Sequence, residues 1–467
     1  MLVRKSQMFG NKIGIVGGGP GGLMTAYLLQ KMADRTVEIT LFDATDRLGG
    51  KILTPAFTKR AARYEAGAAE FYDYTPVDED PLKELVTELG LSLNPMGGSS
   101  VIINNRVIAN LDDIQDQLGL PARRALEEFD DRARGTMSPR VFYESDLTDN
   151  SRPTDTNLRF NNELQSIAED SARRFVECLI HSDLATEPEQ TSVSYGLQNY
   201  LMNHPAYMKL YSIEGGNQQL PEELARRTRM QNRMLHTVTE ICKTEDSRLR
   251  ITALHDGILQ SEDFDIVVVA LPNDALPSVN YSDTRLSEAM TQHHLQYNHP
   301  AHYLRMTLLF DEPFWRGQML DSYCMLENFH GCCLYDESSR EPESKHGVMG
   351  WLLAGRDAEE LSELSDTELI EKALDSLPEF CGDGRQHFLE GRVHRWIGAV
   401  NALPGGIVPQ PPDRRHQPEP VDHSHLFVVG DYLFDSTLNG VLDSATYVSN
   451  WIASLFAEDD KALPNLL

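Results

Sequence analysis

The sequence predicts an α/β protein in which a Rossmann-type dinucleotide-binding domain, built on a parallel sheet, is interleaved with an α+β substrate domain. Three observations predict it. "KIGIVGGGPGGLMTAYLLQKM" (12–32) passes from a β-branched run through glycines into apolar residues at helical spacing. "TVEITLFDA" (36–44) adds a second apolar strand ending on Asp43, which completes a βαβ unit and makes the sheet parallel at this point. A chain of 467 residues also exceeds what one hydrophobic core holds, so two domains are expected.

The later elements follow in order. Between about 90 and 212 the composition turns charged and irregular, with helical stretches "PARRALEEFDDRARG" and "NNELQSIAEDSARRFVECLI" that read as an inserted helical part. "FDIVVVALP" (264–272) is apolar throughout, too short for a helix and closed by Pro272, which predicts a buried strand returning to the first domain. "HYLRMTLLF", "GVMGWLLA" and "HFLEGRVHRW" read as strands of the second domain, interrupted by the helical stretch "DAEELSELSDTELIEKALDSL". "HLFVVGDYLFDSTLNGVLDSATYVSNWIASLF" (425–456) closes the pattern with strand, turn and amphipathic helix. The expected division assigns 11–90, 213–285 and 417–460 to the dinucleotide-binding domain. Residues 91–212 and 286–416 form the substrate domain.

Composition narrows the function. With 41% apolar and 24% charged residues the chain belongs with globular rather than disordered proteins. A formal charge of -29 repels nucleic acid and anionic membrane, which excludes a polyanionic partner. The six cysteines show no CxxC pair and no metal-ligand spacing, so they read as buried thiols of a reducing, cytoplasmic compartment, with no metal site. "MLVRKSQMFGNK" carries no apolar leader core, and no run approaches the length of a membrane span.

Gly17, Gly19 and Gly22 form GxGxxG between strand and helix, where the backbone can approach a pyrophosphate at the positive helix end. Asp43 can accept from a ribose hydroxyl. After Asp43 and Ala44 comes "TDRLGGKI", and further on "IEGGNQQLPEELA", "HTVTEI", "FDIVVVALP", "LLFDEPFW" and "HLFVVGDYLFDSTLNGVLDSA". An acid followed by "DRLGGK", with the other pieces in this order, resembles the flavin amine oxidase superfamily over nearly the whole chain.

The resemblance implies FAD as the dinucleotide. Gly17, Gly19, Pro20, Gly21 and Gly22 would meet it at the glycine turn, with Asp43 and Ala44 at the strand end. Arg47, Gly49, Gly50 and Lys51 would lie over the pyrophosphate, Val238 near the adenine, and Gly430 and Asp431 near the ribitol or pyrophosphate. Asn439, Gly440 and Val441, at a helix start, would stand beside the isoalloxazine. Read without the resemblance, Asp431 is a turn acid and Asn439 a helix cap.

"YEAGAAEF" is similar to the family's acid-x-Gly segment along the flavin. Glu65 matches the acid, Gly67, Ala68 and Ala69 the small residues against the ring, and Glu70 the position opening on the cavity. L-amino-acid oxidases of the superfamily commonly carry arginine at the position of Glu70. A carboxylate there repels a substrate carboxylate and attracts an ammonium, or accepts a proton from a neutral amine. The alternative is an ion pair to Arg63, Lys51 or Arg305.

Two positions depart from the family. Arg305 stands where many amine oxidases have a lysine, ten positions before Trp315, and its fork of donors can orient water or a substrate oxygen, or pair with an acid. Thr437 stands where the monoamine oxidases place one of two substrate-flanking rings, leaving Trp396 as a candidate wall, or as core. The expected activity is oxidation of a C–N bond of an amine or amide-like small molecule to an imine, by hydride transfer to flavin N5, with O2 as acceptor. A desaturase acting on an apolar C–C bond, or a flavoprotein without net redox chemistry, is the alternative. A homodimer is left open.

Overall fold

The computed structural model describes residues 10–98, 100–144, 159–319, 321–341, 344–404, 410–434 and 436–462. The chain divides into two compact units. The first comprises the described residues of Met1–Ile52, Gln218–Asn298 and Gln410–Leu467, and the second those of Leu53–Asn217 and His299–Pro409.

The first unit is built on a five-stranded sheet, in the order Leu426–Val428, Ile266–Val269, Lys12–Val16, Glu38–Phe42 and Met230–Arg233. Every neighbouring pair is parallel. The α/β expectation with a parallel sheet is met here. Ile266–Val269 is fully buried, as an apolar run without alternation requires when both faces of a parallel sheet are covered. The helices Pro20–Met32 and Leu438–Ala462 pack on one another, with Ser449 Oγ donating to the Thr25 carbonyl. A smaller sheet carries Ile258–Phe264, Leu249–His255, Thr237–Lys243 and Asn280–Tyr281.

The second unit holds a seven-stranded sheet, ordered Phe388–Asn401, Pro300–Phe310, Gly347–Ala354, Cys332–Asp336, Tyr323–Leu326, Val101–Ile103 and Arg106–Ile108. Period two sorts its side chains. Leu304, Met306, Cys324, Leu334, Trp351 and Leu353 face one buried core, with the helix Asp366–Asp375 packed nearby. Tyr323, Met325, Cys333 and Tyr335 face another, filled by the helices Leu120–Thr136, Asp170–Leu184 and Val193–Leu201.

The expected inserted helices form, with breaks that the periodicity did not show. "NNELQSIAEDSARRFVECLI" makes two helices, Phe160–Gln165 and Asp170–Leu184, because the Glu169 carboxylate caps the second by accepting from the Ala172 N–H. "DAEELSELSDTELIEKALDSL" likewise splits at the capping box of Ser365 and Glu368. Residues 53–90 pack in the second unit, since Phe71–Asp73 and Leu93–Met96 both pair with Lys209–Ile213. All six cysteines are free thiols, buried except for the half-buried Cys242. Among the described residues no helix is long and apolar enough to cross a membrane.

Candidate active site

In the first unit the glycine turn is folded tightly on itself. Gly17 has φ 110°, and a Cβ there would lie 2.4 Å from the Ala270 carbonyl oxygen. A Cβ on Gly22 would lie 2.0 Å from the Gly17 carbonyl oxygen, so only glycine lets the helix start this close to the strand. Gly19 differs: its added Cβ would meet nothing nearer than the Gly50 Cα at 3.9 Å. The turn therefore leaves backbone exposed at Gly19 and presents the N-terminus of Pro20–Met32, which begins with Pro20, Gly21 and Gly22 and has no side-chain cap. A pyrophosphate fits this arrangement.

Around the turn, the other expected cofactor residues of this unit are mostly engaged in shaping the loop. Asp43 accepts from the Gly18 N–H at 2.8 Å and from the Thr45 N–H and hydroxyl at 2.8 and 2.6 Å. Ala44 lies between the two donors' contacts, exposed on the loop. The Arg47 guanidinium donates to the Gly50 carbonyl at 2.7 Å, and the Gly49 N–H to the Gly18 carbonyl at 2.8 Å. Gly49 and Gly50 both have positive φ. Lys51 pairs with Asp431 at 3.4 Å, which ties the loop to the end of the last strand. Asp431 also accepts from the Tyr432 N–H, and the Gly430 N–H donates to Ser444 Oγ. Val238 is buried on Thr237–Lys243, beside the bulge opposite Ala253.

The long last helix begins at Leu438, and its cap is Thr437, whose hydroxyl accepts from the Gly440 N–H at 3.0 Å. The capping role considered for Asn439 thus falls to Thr437, the residue at the expected ring position. Asn439, Gly440 and Val441 form the first turn. Thr437→Ala is expected to lower stability by about 0.5–2 kcal/mol, the usual cost of losing such a cap, and thermal unfolding checks it.

In the second unit "YEAGAAEF" is held from behind by side chains. The Trp396 indole N–H donates to the Ala66 carbonyl at 2.7 Å, the Asn217 amide to the Ala68 carbonyl at 2.9 Å, and Arg340 to the Ala69 carbonyl at 2.8 Å. Gly67 keeps partial exposure between them. Trp396 is itself partly exposed, so it is not a core residue.

Glu65 is fully buried. Its carboxylate accepts from the Asn217 N–H at 2.9 Å, from Arg340 at 2.8 Å and from the Thr54 hydroxyl at 2.8 Å. Burial pushes this carboxyl above its ordinary pKa, against the pull of Arg340 and the hydrogen bonds. The Glu65 N–H donates to Glu337 at 2.7 Å, and Glu337 pairs with Arg305 at 2.5 Å. Arg305 is 1% exposed and lies over the Tyr335 ring at 4.8 Å. Burial alone would lower its pKa, but Glu337 and Tyr335 hold it above the ordinary arginine value, a permanent cation.

Glu70 accepts from the Tyr335 hydroxyl at 2.8 Å and makes no other hydrogen bond among the described residues. Two of its candidate ion-pair partners are engaged elsewhere, Lys51 with Asp431 and Arg63 with the Gly215 carbonyl. Burial pushes the Glu70 carboxyl up, while the Tyr335 hydroxyl, Arg305 and Arg340 pull it down.

Sequence reasoning missed what surrounds Glu70. Asp183, in the last turn of Asp170–Leu184, has its carboxyl pushed up to about 8 by burial and by Glu70. Tyr72, Tyr195, Tyr303 and Tyr323 are its electrostatic neighbours or theirs. Glu70, Tyr72, Asp183 and Tyr303 are all half-buried. Tyr303 and Arg305 share a strand face, as do Cys333 and Tyr335, by period two. The only prior signal was an acid near a helix C-terminus, where the dipole disfavours negative charge.

Comparisons with known proteins agree with this geometry. Residues 20–452 match the sequence model of the flavin-containing amine oxidoreductases. A probable flavin-containing monoamine oxidase A of Dictyostelium discoideum is 22% identical over 390 residues, 79% of this chain and 80% of that protein. Prenylcysteine oxidase 1 of Mus musculus is 36% identical over 95 residues, 20% of this chain, and the match spans only 17% of that protein. Among solved structures, wild-type putrescine oxidase bound to putrescine has a TM-score of 0.72 at 19% identity, covering 95% of this chain and 99% of that one, a likeness of fold.

Proposed function

Since this chain belongs to the flavin-containing amine oxidoreductase family, and is therefore an FAD-dependent oxidoreductase, we propose that it oxidises the C–N bond of a small amine to an imine, with O2 as the electron acceptor. When bound, FAD supplies the hydride acceptor at N5. The single observation that carries the reading is Glu70: a half-buried carboxylate held by one tyrosine hydroxyl, with no cation paired to it among the described residues.

The residues divide the work. Glu70 attracts the substrate ammonium and takes the proton that leaves nitrogen as the C–H bond is broken. Tyr335 fixes one carboxylate oxygen and leaves the other for nitrogen. The small residues Gly67, Ala68 and Ala69 would leave room for a flavin ring beside the chain, and the carbonyls of Ala66, Ala68 and Ala69, which accept from Trp396, Asn217 and Arg340, cannot compete for the substrate's N–H groups. Glu65 positions that stretch. Arg305 keeps Tyr335 in place from the ring face and adds a fixed positive field. Gly17, Gly19, Gly22 and the start of Pro20–Met32 would hold the pyrophosphate, and Arg47, Lys51 and Asp431 brace the loop beside that turn.

Anaerobic addition of amines, amino acids and apolar alkenes to the purified enzyme tests this. Bleaching of the flavin by amines alone is the expected result, and bleaching by alkenes alone would replace the reading with desaturation. Glu70→Gln should lower the rate of bleaching by about 100-fold or more while bound FAD is unchanged. Because Glu70 acts ionised and burial raises its pKa, kcat/KM should fall as pH falls through that raised value. The acid limb should vanish in Glu70→Gln, and a limb that persists would assign it to another group.

A further inference from the structure

We infer that Arg415 and His416 are positioning residues for FAD: as neighbours on one short helix they hold the two ends of the turn from Gly430 to Leu433, and so set where Asp431 stands. This rests on the reading of Asp431 as a cofactor residue and assigns what supports it.

The turn stands where a ligand of such a sheet binds. Leu426–Val428 runs parallel to Ile266–Val269 and, through it, to Lys12–Val16, so its carboxyl end lies on the same edge of the sheet as the glycine turn. The two turns are neighbours, since a Cβ on Gly21 would lie 3.2 Å from the Val429 Cγ1. Asp431 pairs with Lys51 at 3.4 Å and accepts from the Tyr432 N–H at 2.9 Å. Gly430 has no side chain to anchor the bend, so groups from elsewhere must fix it.

His416 holds the first end through a directed chain. The ring is fully buried, and Tyr447 stacks on it at 4.8 Å and 30°. Its Nδ1 lies 2.7 Å from the Pro412 carbonyl oxygen, which can only accept, so Nδ1 carries the proton. Burial, joined by Arg415 and opposed by the Pro412 hydrogen bond, pushes the His416 pKa down to about 4. The ring is therefore neutral and Nε2 is an acceptor. The Ser444 hydroxyl donates to Nε2 at 3.0 Å, and Ser444 Oγ accepts from the Gly430 N–H at 3.1 Å.

Arg415 holds the second end. Its guanidinium donates to the Leu433 carbonyl at 2.9 Å and to the Gln410 carbonyl, and lies 5.6 Å from the centre of the Phe434 ring. The helix Pro412–His416 that carries both residues follows Pro411 and begins on Pro412, whose fixed φ suits a helix start. Only Asp431 and Tyr432 lie between the two held groups, so a shift at either end moves the Asp431 carboxylate.

The test follows FAD release from the diluted holoenzyme by the rise of free-flavin fluorescence, with the unfolding midpoint measured alongside. His416→Phe keeps the ring without an acceptor, and Ser444→Ala removes the middle link; each should speed release by about 10-fold, the worth of one buried hydrogen bond. The double variant should release no faster than either single one, because both interrupt one chain. Arg415→Met should speed release by opening the other end. His416→Gln, whose amide oxygen can accept from Ser444, should bring the rate back close to wild type, a rescue that mere filling of the site would not give. If His416→Phe fails to fold, Ser444→Ala, which loses a single oxygen, decides. Wild-type release from Ser444→Ala overturns the inference, as do effects that multiply in the double variant or a His416→Gln variant as fast as His416→Phe. Asp431→Ala separates the two readings. Wild-type release from it overturns the cofactor role of Asp431 and this inference with it, whereas fast release from Asp431→Ala beside wild-type release from Ser444→Ala overturns this inference alone.

Discussion

Glu337→Ala should destabilise the second unit by about 3–5 kcal/mol, the cost of removing one partner from a buried ion pair. Arg305 would keep its charge, because a guanidinium does not deprotonate in a protein, and at 1% exposure it has no solvent to take the place of Glu337. Its Nε already lacks a hydrogen-bond partner among the described residues, and the Glu65 N–H would lose its acceptor as well. Glu337→Gln should cost less, since an amide oxygen can still accept from Glu65. Adding Arg305→Met to Glu337→Ala should recover part of the loss, because the second change removes the stranded charge. Urea unfolding followed by tryptophan fluorescence checks the series. A wild-type midpoint for Glu337→Ala would show that the Arg305 charge finds another partner.

The second large effect separates two glycines of one motif. Gly22→Ala should give protein without bound FAD, because the new Cβ would sit 2.0 Å from the Gly17 carbonyl oxygen, a backbone atom that cannot move without opening the turn. Gly19→Ala meets no such obstacle in the protein, its nearest contact being 3.9 Å. It should therefore fold with a wild-type unfolding midpoint and yet bind FAD more weakly, since the added methyl occupies the side from which a pyrophosphate approaches. Flavin absorbance after gel filtration and the unfolding midpoint, measured on both variants, make the distinction. Retention of FAD by Gly22→Ala would mean that the turn relaxes freely.

Local signals made the first unit legible. Glycines between strand and helix, an acid at the next strand end and a fully apolar run each reflect a constraint carried by neighbouring residues, and the parallel sheet followed from them. Glu65, Glu70 and Arg305 were legible as positions, but their partners were not. Glu337, Arg340 and Tyr335 lie more than 260 residues from Glu65 and Glu70 along the chain, and no spacing rule reaches that far. Asp183 looked like any helical acid, because its significance depends on which strands the helix covers.

The buried quartet of Glu65, Glu337, Arg305 and Arg340 also bears on how such a sequence can drift. The four are joined by Arg305 to Glu337, Glu337 to the Glu65 backbone, and Glu65 to Arg340. Gly350 belongs with them, since a Cβ there would lie 2.8 Å from the Glu337 Oε1 and 3.4 Å from the nearest Arg305 nitrogen. Any single replacement strands a charge or crowds the pair, so each step taken alone runs uphill, and paths between viable sequences must pass through paired exchanges. Descendants of this chain should inherit these five positions together or trade them together, and an alignment of its relatives would show them as one covarying block.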